Sequence, residues 1–278
     1  MATNPLSAGF ERNIIRIAGL VVIGFALLPI CTVVLMSFTS STTLQFPPPG
    51  LSLRWYGELW NLVSSPDQSS NRLLEAFLTS TELALMTSIL CVFAGVPVSY
   101  LIMRHKFFGR VALEEALAIP IVFPSVVLGV ALLTLLSRYG IRLGIFQIVL
   151  AHSVIGLPFM VRNCLAALAG IDENLEAAAQ TLGATAVRAF AATTLPLMMS
   201  GIASGALLVF VISFNEFTLA YFLYTVDVFP LSIWLFQQSN TSFSPVVLAI
   251  SAVITVFNVL IILLVDRITG LGQSEFDQ

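Results

Sequence analysis

The chain has 278 residues, of which 58% are hydrophobic and only 10% are charged. Because soluble proteins carry roughly 25% charged residues, this composition excludes a water-soluble enzyme and a disordered chain. The net charge of −3 provides no basic surface for nucleic acid. Charged residues are absent from 17–53, 83–103, 116–137, 143–161, 189–215 and 228–265. About 20 apolar residues cross the hydrocarbon core of a bilayer, so the sequence predicts a polytopic membrane protein.

Six transmembrane helices are predicted within one domain that covers residues 1–278. Their approximate bounds are 14–38, 76–103, 113–136, 143–163, 197–223 and 243–265. Helices are favoured over barrel strands because the apolar runs are long and continuous. The first run is too long for a secretory signal and is interpreted as a retained helix. Pro120, Pro124 and Pro158 are expected to kink their helices.

The distribution of basic residues predicts the orientation. With six spans, both termini lie on one side, and that side carries Arg12, Arg16, Arg104, Lys106, Arg110, Arg162, Arg188 and Arg267. The opposite side carries only Arg54, Arg72, Arg138 and Arg142. Loops rich in Lys and Arg stay in the cytoplasm, so both termini are predicted to be cytoplasmic.

Three connections are longer than a tight turn. Prolines in segment 39–75 enforce an extended path at 47–50, and a short amphipathic helix on the outer surface is predicted to follow. Its aromatic residues suit a membrane interface, namely Trp55, Tyr56 and Trp60. Segment 224–242 is predicted to be a polar loop on the same side. The third connection, 164–196, is cytoplasmic and has the composition of folded helix.

The connection 164–196 predicts two short helices around a glycine. Asp172 is a plausible N-cap, and Glu176 lies in the first turn, where the helix dipole favours acids. Gly183 follows the alanine-rich stretch at the position of a left-handed helix end.

The second of these helices is predicted to begin after Thr185, which can act as its N-cap, and to extend through Ala192. Pro196 then opens the fifth span. The segment could be a mere connector, although structured connections of this length are more often functional.

These residues resemble the EAA loop of ATP-binding-cassette importer permeases, whose pattern is E-A-A, three residues, G, nine residues and I-x-L-P. Gly183 is followed by nine residues and then by Thr-Thr-Leu-Pro at 193–196, so this spacing agrees. The family glutamate falls on Ala177, whereas Glu176, one residue earlier, matches an additional acid of many members. Residues 174–184 are otherwise similar to the L-E-E-A-A-x-x-L-G-A form of the spermidine/putrescine-type branch.

The resemblance continues outside the loop. Residues 108–129 resemble the G-R…P…P-x-x-x-x-G region of that branch, and residues 152–158 resemble its fourth helix. Residues 213–217 resemble its S-x-D-[DE]-x stretch, with Asn215 in place of the first acid. The resemblance implies an all-α, six-helix type I importer permease in the bacterial inner membrane, with 164–196 as a coupling loop.

No catalysis is expected on this chain. The only lysine, Lys106, does not belong to a G-x-x-x-x-G-K-[ST] phosphate-binding loop. The only two histidines are His105, in a basic cytoplasmic turn, and His152, inside a span, so no metal site is expected from nearby positions. No cofactor is expected on this chain, and ATP and magnesium would bind to a partner. The implied partners are a cytoplasmic ATPase dimer, a second permease that is identical or homologous, a periplasmic solute-binding protein and membrane lipid.

The resemblance also implies the residues that couple the loop to the ATPase. They are Glu176, Ala178, Leu182, Gly183, Val187, Arg188, Phe190, Leu195 and Pro196. Among them, Leu182, Val187 and Phe190 are expected to be apolar anchors in a groove of the ATPase. Glu176 and Arg188 are expected to face its charges at the rim.

Acidic groups inside the membrane are costly and are often functional. The candidate pathway residues are Glu216, Asn215, Phe214, Tyr221 and Glu82. Both glutamates fall in the outer halves of their spans, where they could line one vestibule for a cationic solute. The aromatic residues could offer cation–π contacts, or they could face lipid or pack against other helices. Glu82 could instead snorkel to the interface.

Two further features concern helix packing. His152 is expected to hydrogen-bond to a neighbouring helix. Gly201 and Gly205 form a G-x-x-x-G pattern for close helix contact, either within the chain or with the partner permease.

The sequence therefore predicts a permease subunit that forms half of the translocation pathway of an ATP-driven, binding-protein-dependent importer. Polyamines or related small cationic solutes are the expected cargo. Ferric iron, aminophosphonates and opine-like solutes are alternatives within the same class. A secondary transporter is less favoured, because it would show more ionisable groups in mid-membrane and often two related halves.

Overall fold

The computed structural model describes residues 5–64, 68–241 and 244–269, and regular structure in these ranges is helical. The helices are α1 (Pro5–Ser37), α2 (Arg54–Ser64), α3 (Gln68–Arg104), α4 (Arg110–Val122), α5 (Ser125–Arg138), α6 (Ile145–Ala169), α7 (Asn174–Thr181), α8 (Ala186–Ala189), a π-helical turn (Phe190–Thr194), α9 (Leu195–Asn215), α10 (Thr218–Leu223), α11 (Leu231–Thr241) and α12 (Val246–Thr269). The predicted all-α class is confirmed. Helix α11 fills much of the segment that was predicted to be a loop at 224–242.

Five helical runs are long and apolar enough to cross a membrane, and they lie in α1, α3, α6, α8–α9 and α12. Helices α4 and α5 meet this criterion only as a pair, bent by 99°. The described residues thus provide up to six spans. The predicted third span, 113–136, is divided in the structure, where the kink expected at Pro124 is a complete break between α4 and α5. Phe123 is extended, because Pro124 disfavours a helical conformation at the residue before it.

The predicted fifth span, 197–223, also differs from the structure at both ends. The observed helix ends before the predicted span does, because α9 stops at Asn215 and α10 begins only at Thr218. The observed helix also begins before the predicted span, because α8, the π-helical turn and α9 form one helical run over Ala186–Asn215. Pro196 therefore lies inside this run, as the second residue of α9.

Among the described residues, one compact unit consists of 5–64, 238–241 and 244–256. The chain folds back after α1, and the indole N–H of Trp55 donates to the carbonyl of Thr39 at 2.8 Å. The hydroxyls of Ser37 and Tyr56 lie 2.7 Å apart. The predicted short helix is present as α2, but Trp55 is buried in this fold rather than free for a membrane interface.

The other compact unit consists, among the described residues, of 68–237 and 257–269. Helices α3, α6 and α9 pack pairwise against one another and form its centre. Gly156 permits close packing, because a Cβ there would lie 2.9 Å from Cγ1 of Val209. The buried side chains of one core cluster are Cys91, Val96, Met160, Cys164, Leu168, Met198, Ile202 and Val209.

Helices α6 and α9 are in contact at His152 of α6 and at Gly201 and Gly205 of α9, the two glycines of the G-x-x-x-G pattern. Nδ1 of His152 lies 2.8 Å from the hydroxyl of Ser213, which confirms the predicted interhelical hydrogen bond. A Cβ on Gly201 would lie 2.5 Å from Cβ of Ala167, and one on Gly205 would lie 2.7 Å from the sulfur of Met160. The glycine pattern therefore serves packing within the chain.

A Gly201→Ala substitution is expected to destabilise the α6–α9 interface. The added methyl group would overlap Ala167 and approach the carbonyl oxygen of Asn163 to 2.9 Å, and overpacking of this kind costs about 1–3 kcal/mol. The melting temperature of the detergent-solubilised chain should fall by about 5 °C. Gly19→Ala is the matched control, because nothing lies within 4 Å of its Cβ position. Equal melting temperatures for the two variants would contradict this packing.

Candidate functional site

The end of α7 is set by Gly183, as the sequence predicts. Gly183 has a φ of +94°, and its N–H donates to the carbonyl of Gln180 at 2.9 Å. The N–H of Ala184 donates to the carbonyl of Ala179 at 3.1 Å. These two bonds form a Schellman motif, which requires a left-handed residue that glycine adopts without steric cost.

The flanking caps agree only in part with the sequence. The hydroxyl of Thr185 accepts the N–H of Arg188, as expected for an N-cap. The second helix does not end near Ala192 but continues through the π-helical turn into α9. Asp172 is not the N-cap of α7, since its carboxyl accepts the N–H of Asn174 in a turn just before the helix.

Glu176 is buried, with only 8% of its surface exposed. One carboxyl oxygen accepts a hydrogen bond from the hydroxyl of Tyr100 at 2.5 Å, and the other accepts one from the hydroxyl of Thr194. The predicted position of Glu176 at the rim was wrong, because both of its oxygens are engaged inside the chain.

Two strongly exposed apolar side chains flank the turn at Gly183. Leu182 is 90% exposed and Val187 is 78% exposed. Ala178 and Arg188 are exposed as well. A surface that presents Leu182 and Val187 is available for another protein, and we call these two residues the apolar tip of the loop.

Two predicted coupling residues face inward instead. The ring of Phe190 packs edge-on against that of Tyr100, with centroids 4.8 Å apart, and Leu195 packs on the core cluster. The prediction of Phe190 as an anchor for the ATPase was therefore wrong. Pro196 is exposed in the first turn of α9.

The loop is fastened to the end of α3 by two residues that the sequence analysis missed. Tyr100 holds Glu176, and the guanidinium of Arg104 donates to the carbonyl of Ile171 at 2.8 Å. The available signal was only that both polar side chains lie near the end of an apolar span. Their partners follow roughly 70 residues later in the chain.

The break between α9 and α10 contains Glu216. One of its carboxyl oxygens accepts the N–H of Thr218 at 2.9 Å and that of Leu219 at 3.1 Å, so the side chain caps α10. Its backbone carbonyl accepts a bond from the hydroxyl of Ser232 at 3.3 Å. Glu216 is half-buried and has a local structural role that the sequence did not predict.

The residues just before Glu216 divide between exposure and packing. Asn215 is exposed, and its side-chain oxygen accepts a bond from the amide of Asn258 at 3.2 Å. Phe214 is buried, and its ring lies 5.8 Å from that of Phe77 and 5.5 Å from that of Phe257. The prediction that Phe214 lines the pathway was wrong, because it packs between α3, α9 and α12.

The last two pathway candidates lie in different surroundings. Tyr221 is partly exposed, with its ring 5.5 Å from that of Phe217 and 5.6 Å from that of Phe236. Glu82 is exposed on α3. The hydroxyl of Ser80 accepts the N–H of the first residue of α11, and Glu82 is turned by about 200° around the helix from Ser80. Helix α3 therefore directs Glu82 away from α11.

The family described as binding-protein-dependent transport system inner membrane component matches residues 83–270, which is more than half of the chain. The chain belongs to this family. It is accordingly a permease subunit of an ATP-binding-cassette importer and a membrane protein.

Individual relatives support this assignment. A spermidine/putrescine transport system permease protein of Haemophilus influenzae is 28% identical over 95% of this chain and 98% of its own length. A probable molybdenum transporter permease of Haloferax volcanii is 33% identical over 63% of this chain and 68% of its own length.

A solved structure shows the same fold. It is the crystal structure of a bacterial ABC transporter involved in the import of the acidic polysaccharide alginate, with a TM-score of 0.66 and 16% identity. The match covers 96% of this chain and 98% of the other. The predicted type I permease fold is confirmed.

Proposed function

We propose that this subunit forms half of a translocation pathway for polyamines or a related small cationic solute, driven by a separate ATPase. The observation that carries the ATPase-driven part of the proposal is the loop around Gly183. Its fold presents the apolar tip, Leu182 and Val187, outward, while Tyr100 and Arg104 hold it to α3. Two exposed apolar side chains on a loop that is held by hydrogen bonds can be buried in an apolar groove of a partner protein.

In this proposal ATP and magnesium bind to a cytoplasmic ATPase dimer, and this chain contributes the moving parts. The helical run over Ala186–Asn215 has 30 residues and is therefore about 45 Å long. A displacement of α8 by the ATPase is carried along this run to the break at Glu216. Closure of the ATPases would thus tilt the helices from inward-open to outward-open.

The proposed orientation places both termini and the loop in the cytoplasm. Arg104 and Arg188 lie at the loop, and Arg110 begins α4, so these positive charges would lie on the inner side of a bacterial inner membrane. The α9–α10 break then lies toward the periplasm, where a solute-binding protein and a second permease complete the importer.

Two kinds of cargo are supported by the relatives. The spermidine/putrescine relative aligns over 95% of this chain, and the acidic side chains of Glu82 and Glu216 suit a cation. The molybdenum relative is more similar in sequence but over only 63% of the chain, which makes an oxyanion the second candidate.

The test begins with purification of the complex through a tag on this chain. An ATPase is expected in stoichiometric amount, and its absence would overturn the proposal. The cognate solute-binding protein is then melted with spermidine, putrescine, molybdate, ferric iron, an aminophosphonate or an opine. A specific ligand at 100 times its Kd stabilises a protein by about 2.7 kcal/mol. A rise with spermidine or putrescine supports the polyamine proposal, and a rise with molybdate alone favours the oxyanion.

A Glu216→Gln substitution distinguishes the two roles of this side chain, because it removes the negative charge and keeps the oxygen that caps α10. The amide oxygen of Gln can still accept the N–H groups of Thr218 and Leu219, so the complex should assemble normally. Uptake of a cationic solute into proteoliposomes should fall about tenfold, which corresponds to the loss of one hydrogen bond to a charged group. Glu216→Ala is the comparison, since it also removes the cap. Parental uptake by the Gln variant would contradict a pathway role.

A further inference from the structure

The carboxyl group of Glu176 lies where three helical segments meet. Helix α7 carries Glu176, α3 carries Tyr100, and the π-helical turn carries Thr194. The other acids of the loop, Asp172 and Glu173, are exposed. A buried carboxyl group is costly unless it is hydrogen-bonded, so the two hydroxyl groups stabilise α7 against both other segments.

Tyr100 is itself held in place by ring contacts. Its ring centroid lies 4.8 Å from that of Phe190 and 5.9 Å from that of His105, both in edge-on arrangements. These contacts restrict the ring, so its hydroxyl is aimed at Glu176. Tyr100 therefore touches both halves of the loop, α7 through Glu176 and the run after α8 through Phe190.

The π-helical turn determines which threonine reaches Glu176. The N–H of Leu195 bonds to the carbonyl of Phe190, five residues earlier, so the turn holds one more residue than an α-helical turn. Thr194 is fully buried and donates to Glu176. Its neighbour Thr193 donates to the carbonyl of Ala189 at 2.8 Å, within its own helix. Such turns occur often at functional sites.

The two halves of the loop are attached to the membrane helices in different ways. Helix α8 continues into α9 through the backbone, so it moves with that span. Helix α7 is separated from α8 by the turn at Gly183. The segment just before α7 is held to α3 by the bond from Arg104 to the carbonyl of Ile171, whereas α7 itself is bonded to α3 and to the π-helical turn through the side chain of Glu176. Without the Glu176 bonds, the end of α7 at Gly183 could move while α3 stays in place.

We propose that Glu176, Tyr100 and Thr194 form a joint that transmits movement of the loop to α3 and α9. Glu176 is then a positioning residue for coupling, and it does not contact the ATPase. This inference rests on the proposed coupling function of the loop. It assigns to the three side chains a role that is distinct from docking, which belongs to the apolar tip.

The test uses the complete importer in proteoliposomes with single substitutions that remove one hydroxyl each. Tyr100→Phe keeps the ring contacts with Phe190, and Thr194→Val keeps the shape of the side chain. Thr193→Val is the matched control, because it removes a hydroxyl that bonds only within its own helix. Three quantities are measured: the amount of ATPase bound per permease, the hydrolysis stimulated by loaded binding protein, and the uptake of solute.

Tyr100→Phe and Thr194→Val should each retain the parental amount of ATPase, because the apolar tip is unchanged. Stimulated hydrolysis and uptake should fall about tenfold, the factor expected when a buried acceptor loses its partner. Tyr100→Phe should cause no further fall in a Glu176→Ala background, since the joint is already broken there. Thr193→Val should behave like the parental chain.

Two results would overturn the joint. Parental stimulation and uptake in both Tyr100→Phe and Thr194→Val would show that the bonds do not transmit movement. Loss of the ATPase from these variants would show that the bonds only shape the docking surface. A parental complex that contains no ATPase would overturn the proposed function, and this inference with it.

Discussion

Replacing Gly183 by leucine is expected to remove the ATPase from the purified importer while the membrane chain itself stays folded. A Cβ at Gly183 would meet nothing within 4 Å, so the leucine side chain would project from the turn beside the exposed Leu182. A partner groove that fits the apolar tip closely has no room for it. Subunit ratios after purification through this chain measure the effect, and at least a tenfold loss of bound ATPase is expected, equivalent to about 1.4 kcal/mol.

Two further substitutions separate backbone strain from bulk at this position. A left-handed conformation costs an ordinary residue about 1–2 kcal/mol, whereas asparagine adopts it more readily. Gly183→Ala adds strain with little bulk and should lose only part of the ATPase. Gly183→Asn adds bulk with less strain and should resemble leucine. The coupling assignment is wrong if Gly183→Leu retains the ATPase and transports at the parental rate.

A Val187→Asp substitution is expected to have the larger effect. Val187 is 78% exposed, so aspartate there is harmless to the isolated chain. In the proposed complex the same side chain would be buried in an apolar groove, where an unpaired carboxylate costs several kcal/mol. Affinity for the ATPase should fall at least about 100-fold, and transport should be lost.

The matched control is Val226→Asp, which places the same charge on a valine that is 93% exposed between α10 and α11. It should leave the ATPase bound, because Val226 follows α10, beyond the end of the helical run Ala186–Asn215 that begins at the loop. Equal loss in both variants would mean that added charge, and not its position on the loop, causes the effect. Equal retention would exclude Val187 from the docking surface.

Several features of this protein follow from the sequence because they depend on local properties. A run of apolar residues is long enough to span a membrane whatever surrounds it, so the spans could be located from residues 83–103 or 143–161 alone. Gly183 could be placed at a helix end because the positive φ of such an end depends on the type of one residue, and glycine adopts it without steric cost. The break before Pro124 could be anticipated as a kink for the same reason, although not its angle.

Other features were decided by the tertiary structure. The sequence predicts that Glu176 is an acid on the surface of the loop. In the structure Glu176 is buried and bonded to Thr194 and to Tyr100, which lies 76 residues earlier in the chain. Gly201 could have packed within the chain or against the partner permease, and its neighbours on α6 show that it packs within the chain. Phe214 could have lined the pathway or packed, and its ring contact with Phe257 on α12 shows that it packs. These outcomes depend on which side chains meet when distant helices pack. Hydropathy and residue spacing describe each helix separately, so they do not show which side chains of different helices come into contact.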